Sequence, residues 1–126
     1  MKKTSIKHLT FAHHACLRGL EFYEIEIRFL QERLEEIAAD NTSREVAEQV
    51  EHFQNQLIIH QEQIDILKHR VKENLDKLAT DIKLSENFIQ ETTVTEANKI
   101  ASDYQDEENM FNEMRRFFSR FATQWM

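Results

Sequence analysis

The sequence predicts an all-α protein, an elongated, antiparallel up-down-up bundle of three long helices with coiled-coil-like heptad packing. Two observations carry this prediction. The 126 residues contain no proline and one glycine, whereas turn-rich β proteins use both residues heavily. Apolar residues recur at heptad spacing through three long segments of the chain, which is the pattern of helices that pack on helices. Short links between these segments require neighbouring helices to run antiparallel.

The first predicted helix covers residues 5–40. Its inward positions form two series whose members are seven residues apart, and the second series follows the first by three residues. The first series is Ile6, His13, Leu20, Ile27 and Leu34, and the second is Leu9, Cys16, Tyr23, Leu30 and Ile37. Five consecutive heptads with both core positions filled indicate that this helix packs against other helices.

The second predicted helix covers residues 43–86. It begins at Thr42-Ser43-Arg44-Glu45, a capping-box motif in which the hydroxyl and the carboxylate satisfy backbone N–H groups at the helix start. Its predicted buried face consists of Val46, Val50, Phe53, Leu57, His60, Ile64, Leu67, Val71, Asn74 and Leu78.

The third predicted helix covers residues 94–125 and has a similar motif, Thr93-Val94-Thr95-Glu96. Its predicted inward positions are Ala97, Ile100, Tyr104, Phe111, Met114, Phe118, Phe121 and Trp125. Residues 40–41 and about 86–92 form the two connections. A chain of this length supports one core, so residues 1–126 are predicted to be one domain.

Two histidines, His13 and His60, occupy the predicted buried faces. Folding the first helix back on the second places Tyr23 level with His60, and His13 level with Val71, one turn from Asn74. We therefore expect both imidazoles in the core, with Tyr23 as the hydrogen-bond partner of His60 and Asn74 as that of His13. A polar group at such a position commonly fixes helix register at some cost in stability.

Glu107 and Glu108 stand where the buried face of the third helix should continue after Tyr104. One of them is expected to point inward, and burial of a carboxylate changes its pKa and can mark a functional site. The alternative is a carboxylate at the rim, or one paired with Lys68 or His69. The candidate polar core residues are His13, Tyr23, His60, Asn74, Tyr104 and Glu107.

The six histidines invite comparison with carboxylate-bridged metal sites in helical bundles, which use Glu-x-x-His pairs. No histidine of this sequence has a glutamate three residues before it, and no His-x-x-x-His pair occurs. We therefore expect no metal and no cofactor. Cys16 at a heptad core position is interpreted as a small core residue, and one glycine cannot build a glycine-rich phosphate loop. The sequence therefore predicts a protein that is not an enzyme.

The formal net charge of −7 argues against broad contact with nucleic acid. No apolar run approaches the roughly 18 residues of a membrane span, and Met1-Lys2-Lys3 is not followed by a signal-peptide core. The single cysteine, Cys16, cannot form an internal disulfide. These features favour a cytoplasmic location.

The segment from Met110 to Met126 has the composition of a basic amphipathic helix, which by itself would suit a membrane surface or an acidic partner. Its three arginines, Arg115, Arg116 and Arg120, alternate with aromatic residues. Within the bundle we interpret those aromatics, Phe117, Phe118, Phe121 and Trp125, as core residues. Contact with membrane or nucleic acid through the basic ends is kept as a third function class.

A second apolar face lies on the first helix, about 160° from the first on a helical wheel. It consists of Phe11, Ala15, Phe22, Ile25 and Phe29 and is interrupted by Arg18. Such a stripe on a face that the bundle leaves in water predicts a partner interface, unless the bundle is splayed or residues 80–92 fold back over it.

The sequence is therefore interpreted as a non-enzymatic interaction or scaffolding module that forms a homodimer through this face. The alternative is a metal- or small-ligand-binding bundle with a polar site near His13, Asn74 and Glu107.

Overall fold

The computed structural model describes residues 6–85 and 89–126. It contains three helices, α1 (Ile6–Asp40), α2 (Arg44–Ser85) and α3 (Glu91–Trp125). Each helix packs against the other two, and no strand occurs in the described ranges. The predicted all-α three-helix bundle is confirmed. At about 1.5 Å per residue the helices are roughly 50–60 Å long. The predicted helical residues 5 and 86 lie outside the described residues.

The turn between α1 and α2 is closed by side chains. Ser43 Oγ accepts a hydrogen bond from the Val46 N–H at 3.3 Å, so Ser43 is the N-cap of α2 and the box predicted at Thr42 is one residue too early. Asn41 Nδ2 donates to the Ile37 carbonyl at 2.9 Å and to the Trp125 carbonyl at 3.2 Å. The last turn of α1 and the end of α3 therefore meet at one asparagine.

The start of α3 differs from the prediction. The helix begins at Glu91, its N-cap is Gln90, and no side chain of the cap hydrogen-bonds to the first turn. The capping box predicted at Thr93 is wrong, because Thr93 is already a buried helical residue. Tertiary contacts replace the local cap, since the Asp81 carboxylate of α2 accepts the Gln90 N–H at 3.0 Å and Glu96 pairs with Arg70.

The core follows the heptad positions closely. All ten predicted inward residues of α2 are buried, and those of α1 are buried except Ile6 and Leu30, which are half-buried. On α3, Tyr104 and Trp125 are half-buried and the other predicted positions are buried. Heptad spacing therefore identified which side of each helix faces its neighbours, while knobs-into-holes geometry stays a prediction.

The contacts between α1 and α2 show the direction in which the two helices run relative to each other. His13 of α1 hydrogen-bonds to Asn74 of α2, and Glu24, further along α1, binds Lys68, earlier on α2. This opposite order is that of antiparallel helices. His13 thus lies opposite Asn74 rather than Val71, one turn from the predicted register. Within residues 6–85 and 89–126, no helix is sufficiently long and apolar to cross a membrane.

Candidate functional site

The first buried polar layer joins α2 to α3. His60 Nδ1 and Glu107 Oε2 are 2.5 Å apart, and 6% and 4% of the two side chains are exposed. A carboxylate accepts hydrogen bonds, so Nδ1 is the donor. The His60 ring also packs edge-on against Phe111, with 5.4 Å between ring centroids.

The partner predicted for His60, Tyr23, is wrong. The prediction aligned α1 with α2 only, whereas His60 points between α2 and α3 and meets Glu107. Glu107 therefore points inward, as one of the two glutamates was expected to do. The alternative pairing with Lys68 or His69 is also wrong, because Lys68 binds Glu24 and His69 binds Glu73.

The second buried polar layer joins all three helices. His13 Nε2 and Asn74 Oδ1 are 2.7 Å apart, and Asn74 Nδ2 donates to the Thr93 carbonyl at 3.2 Å. His13 is 3% exposed and Asn74 is 1% exposed. Both ends of the asparagine amide are thus satisfied inside the core, and the predicted partner of His13 is the observed one.

These two layers do not form one site. His60 and Asn74 are both on α2, and their separation along the helix corresponds to roughly 21 Å at 1.5 Å per residue. Glu107 belongs to the layer of His60. The alternative interpretation, a ligand site built from His13, Asn74 and Glu107 together, is therefore wrong.

Between the two layers the phenol of Tyr104 lies over Gly19. A Cβ at Gly19 would overlap the Tyr104 hydroxyl and approach the ring carbon Cζ to 2.9 Å. Gly19 therefore leaves space that the Cβ of any other residue would fill. The structure shows that it accommodates the tip of one side chain from α3, and a glycine inside a long helix was the signal for such a contact.

Burial and the Glu108 carboxylate raise the pKa values of three groups in this region, Tyr104, Tyr23 and Cys16. Burial, and then a hydrogen bond and the charge of Glu108, raise the pKa of Tyr104. Burial and Glu108 also raise the pKa of Tyr23. Burial, followed by the charge of Glu108, raises the pKa of Cys16 to about 11. A thiol held protonated at neutral pH is a poor nucleophile, which fits the interpretation of Cys16 as a core residue.

His, Cys, Asp and Glu are the side chains that most often bind metal ions in proteins. Within the described part of the chain, no three of them form a group that could hold a metal ion. The buried imidazoles instead bond to an amide and to a single carboxylate. The expectation that the protein holds no metal and no cofactor stays a prediction.

The second apolar face of α1, termed here the α1 stripe, projects into solvent. Phe11 is 68% exposed, Phe22 50%, Ile25 47% and Phe29 62%, while Ala15 is half-buried. All five residues of the α1 stripe were assigned to this second face from their spacing in the sequence. Their use as a partner interface stays a prediction.

A second exposed apolar surface, termed here the α2/α3 groove, was not predicted from the sequence. Its rims carry Ile59 of α2 and Met110 and Phe117 of α3, which are 49–52% exposed, and Phe53 and Met114 lie beneath them. Phe117 was wrongly assigned to the core. The signal was the seven-residue spacing from Met110 to Phe117, which lies beside the buried series of α3.

No protein-family model matches the chain, and neither the curated proteins nor the solved structures give a significant match.

Proposed function

We propose that this chain is a non-enzymatic interaction module that forms a homodimer through the α1 stripe. One observation carries the proposal. Phe11, Phe22, Ile25 and Phe29 follow one helical face and are 47–68% exposed, although the opposite face of α1 already supplies the core. An exposed apolar stripe of this kind, even with Arg18 within it, is characteristic of an interaction surface.

The charge of α1 favours an antiparallel pairing. Its first 15 residues, 6–20, carry Lys7 and Arg18 and no acid, whereas residues 21–40 carry seven acids and only two arginines. An antiparallel pair of α1 helices places the basic half of each copy beside the acidic half of the other. This arrangement steers association and fixes its orientation.

A twofold axis near Phe22 also pairs side chains of matching character across the interface. Residues at equal distances on either side of Phe22 then face each other, so Phe29 meets Ala15 of the second copy and Arg18 meets Glu26. Such an isologous contact uses one surface twice. Fully burying a large apolar side chain contributes about 1.5–3 kcal/mol. The half-exposed side chains of two copies can therefore offset an association cost of about 4–15 kcal/mol.

Sedimentation equilibrium across micromolar concentrations tests this proposal. The wild type is expected to dimerise, and the double variant Phe22→Glu/Phe29→Glu is expected to be monomeric while keeping its helical circular dichroism and cooperative melting. Phe117→Glu is the matched control, because Phe117 is exposed to the same extent as Phe22 but lies on α3. A monomeric wild type, or a double variant that still dimerises, would refute the proposal.

The composition of the chain bears on the kind of partner and on the cellular compartment. The net charge of −7 disfavours nucleic acid as the partner. A single cysteine suits a reducing compartment such as the cytoplasm. A protein partner, in the first instance a second copy, is therefore the occupant that the composition favours.

A further inference from the structure

The α2/α3 groove extends beyond its three exposed apolar rim residues, Ile59, Met110 and Phe117. Two open depressions of about 690 and 470 Å³ are both lined by His52, Phe53 and Phe117, so they adjoin each other and together make up the groove. It extends along α2 from Gln63 to Glu45, a length of about 27 Å at 1.5 Å per residue. That length matches about five turns of a docked helix.

The lining of this groove combines aromatic and methionine side chains. Phe53 packs against Phe118 and Phe121, with ring centroids 5.2 and 5.1 Å apart, which gives the groove a rigid floor. Met110 and Met114 lie beside it, and methionine adapts its shape to different apolar partners. The groove therefore combines an aromatic floor with methionine side chains that can adapt to a ligand.

The rim of the groove is acidic. Glu45, Glu48 and Glu113 line it together with one cation, Arg120. Glu48 is bridged by Arg44 at 3.3 Å, but 93% of the arginine side chain is exposed, and such a surface pair contributes little. Glu45 and Glu113 form no ion pair with any described residue. Apart from the buried His60–Glu107 pair and the imidazole of His52, the rim carries three carboxylates and one guanidinium.

We infer that the α2/α3 groove binds a basic amphipathic helix of another protein, with its apolar face on Phe53, Met110 and Phe117 and its lysines or arginines beside Glu45 and Glu113. Docking of an amphipathic helix into an apolar groove is a general mode of peptide recognition. This inference does not depend on the proposed homodimer, which uses the stripe of a different helix, α1.

The backbone of the groove walls favours a helical ligand over an extended one. Both walls are helices, α2 and α3, and their backbone groups are already hydrogen-bonded within each helix. An extended peptide would find no backbone partners there and would leave its own groups unsatisfied. A helix satisfies its backbone internally and presents side chains alone.

A second copy of the chain fits the groove less well. Its exposed α1 stripe lies on a helix with seven acids and four basic residues. All seven acids lie in residues 21–40, so this half of α1 would bring like charge against Glu45 and Glu113. The charge of the rim therefore selects a partner more basic than this chain.

Fluorescence anisotropy with a labelled peptide tests this inference on the full chain. The probe is a leucine–lysine peptide of about 18 residues with the pattern of an amphipathic helix, and the charge control is the same pattern with glutamate in place of lysine. Wild-type protein is expected to bind the lysine peptide and not the glutamate peptide. Binding of both, or of neither, would overturn the inference.

Two variants with unchanged charge separate docking in the groove from simple attraction to an acidic protein. Met110→Ser/Phe117→Ser is expected to weaken binding at least about ten-fold, because truncation of central apolar anchors commonly has effects of this size. Phe22→Ser/Phe29→Ser removes comparably exposed side chains from the α1 stripe and is expected to bind as the wild type does. Equal affinity in all three proteins would refute the groove as the site.

Hydrogen exchange on the wild type gives a second readout that needs no variant. The lysine peptide is expected to slow exchange in residues 45–63 of α2 and 107–121 of α3, and not in residues 11–29 of α1. Protection confined to α1 would overturn the inference. Self-association that Phe117→Ser abolishes and Phe22→Ser/Phe29→Ser preserves would instead assign the groove to a second copy.

Discussion

Two histidines occupy equivalent buried positions in this bundle, and they differ in the charge of the group they meet. His13 is bonded to the neutral amide of Asn74, which in turn reaches the backbone of α3. His60 is bonded to the carboxylate of Glu107. Both histidine residues are at most 5% exposed, so burial does not distinguish them.

The difference lies in what remains when one partner is removed. Loss of a neutral hydrogen-bond partner leaves one unsatisfied polar group, with a cost of about 1–3 kcal/mol. Loss of the partner of a buried carboxylate leaves a charge in the core, and breaking such a pair commonly destabilises by about 3–5 kcal/mol. The same residue type at the same kind of position therefore has a different energetic role in the two layers.

The largest expected effect is that of His60→Leu. It leaves the Glu107 carboxylate buried without its partner, so the free energy of unfolding should fall by about 3–5 kcal/mol. Had Tyr23 been the partner, the same substitution would have been mild. Urea denaturation followed by circular dichroism measures the change.

The double variant His60→Leu/Glu107→Leu is the control for this prediction. Replacing both members of a buried pair by apolar residues is often neutral or stabilising, so its stability should return close to that of the wild type. If His60→Leu alone is already close to wild type, the pair has no such role and the comparison between layers fails.

A smaller effect is expected for Asn74→Leu. His13 and the Thr93 carbonyl then lose their partner, and neither is a carboxylate, so the unfolding free energy should fall by about 1–3 kcal/mol. The same denaturation assay allows direct comparison with His60→Leu. A loss as large as that of His60→Leu would show that the neutral layer is as costly to break as the charged one.

The smallest expected effect concerns the region between the two layers. Alanine in place of a mid-helix glycine gains about 1 kcal/mol from helix propensity, but a Cβ at Gly19 would overlap the Tyr104 hydroxyl. Gly19→Ala should therefore destabilise the wild type and stabilise a Tyr104→Ala background by about 1 kcal/mol. A double-mutant cycle measured by thermal melting detects this change of sign, and a stabilised wild-type background would contradict it.

Much of the polar core could be anticipated, because a polar residue in a heptad series must enter the core with its neighbours. His13 and Asn74 were identified as partners in this way. His60 and Glu107 were both identified as inward residues, yet their pairing was not. A heptad pattern shows that a residue faces inward but does not show which of two neighbouring helices it faces.

The exposed surfaces show a similar division. The α1 stripe could be predicted because all of its residues lie on one helix, where spacing alone determines the shared face. The α2/α3 groove was missed because its rims come from two helices. Ile59 and Phe117 approach each other only when α2 and α3 are aligned.

The sequence by itself determined the three helices, the inward face of each and the second apolar face of α1. The reason is that helical geometry converts residue spacing into side-chain direction without reference to any other part of the chain. The tertiary structure decided the start of α3 at Glu91, the pairing of His60 with Glu107 and the α2/α3 groove. A shift of one helix by a single turn keeps apolar residues against apolar residues, but it changes which polar groups can meet. These features therefore depend on the axial alignment of the packed helices.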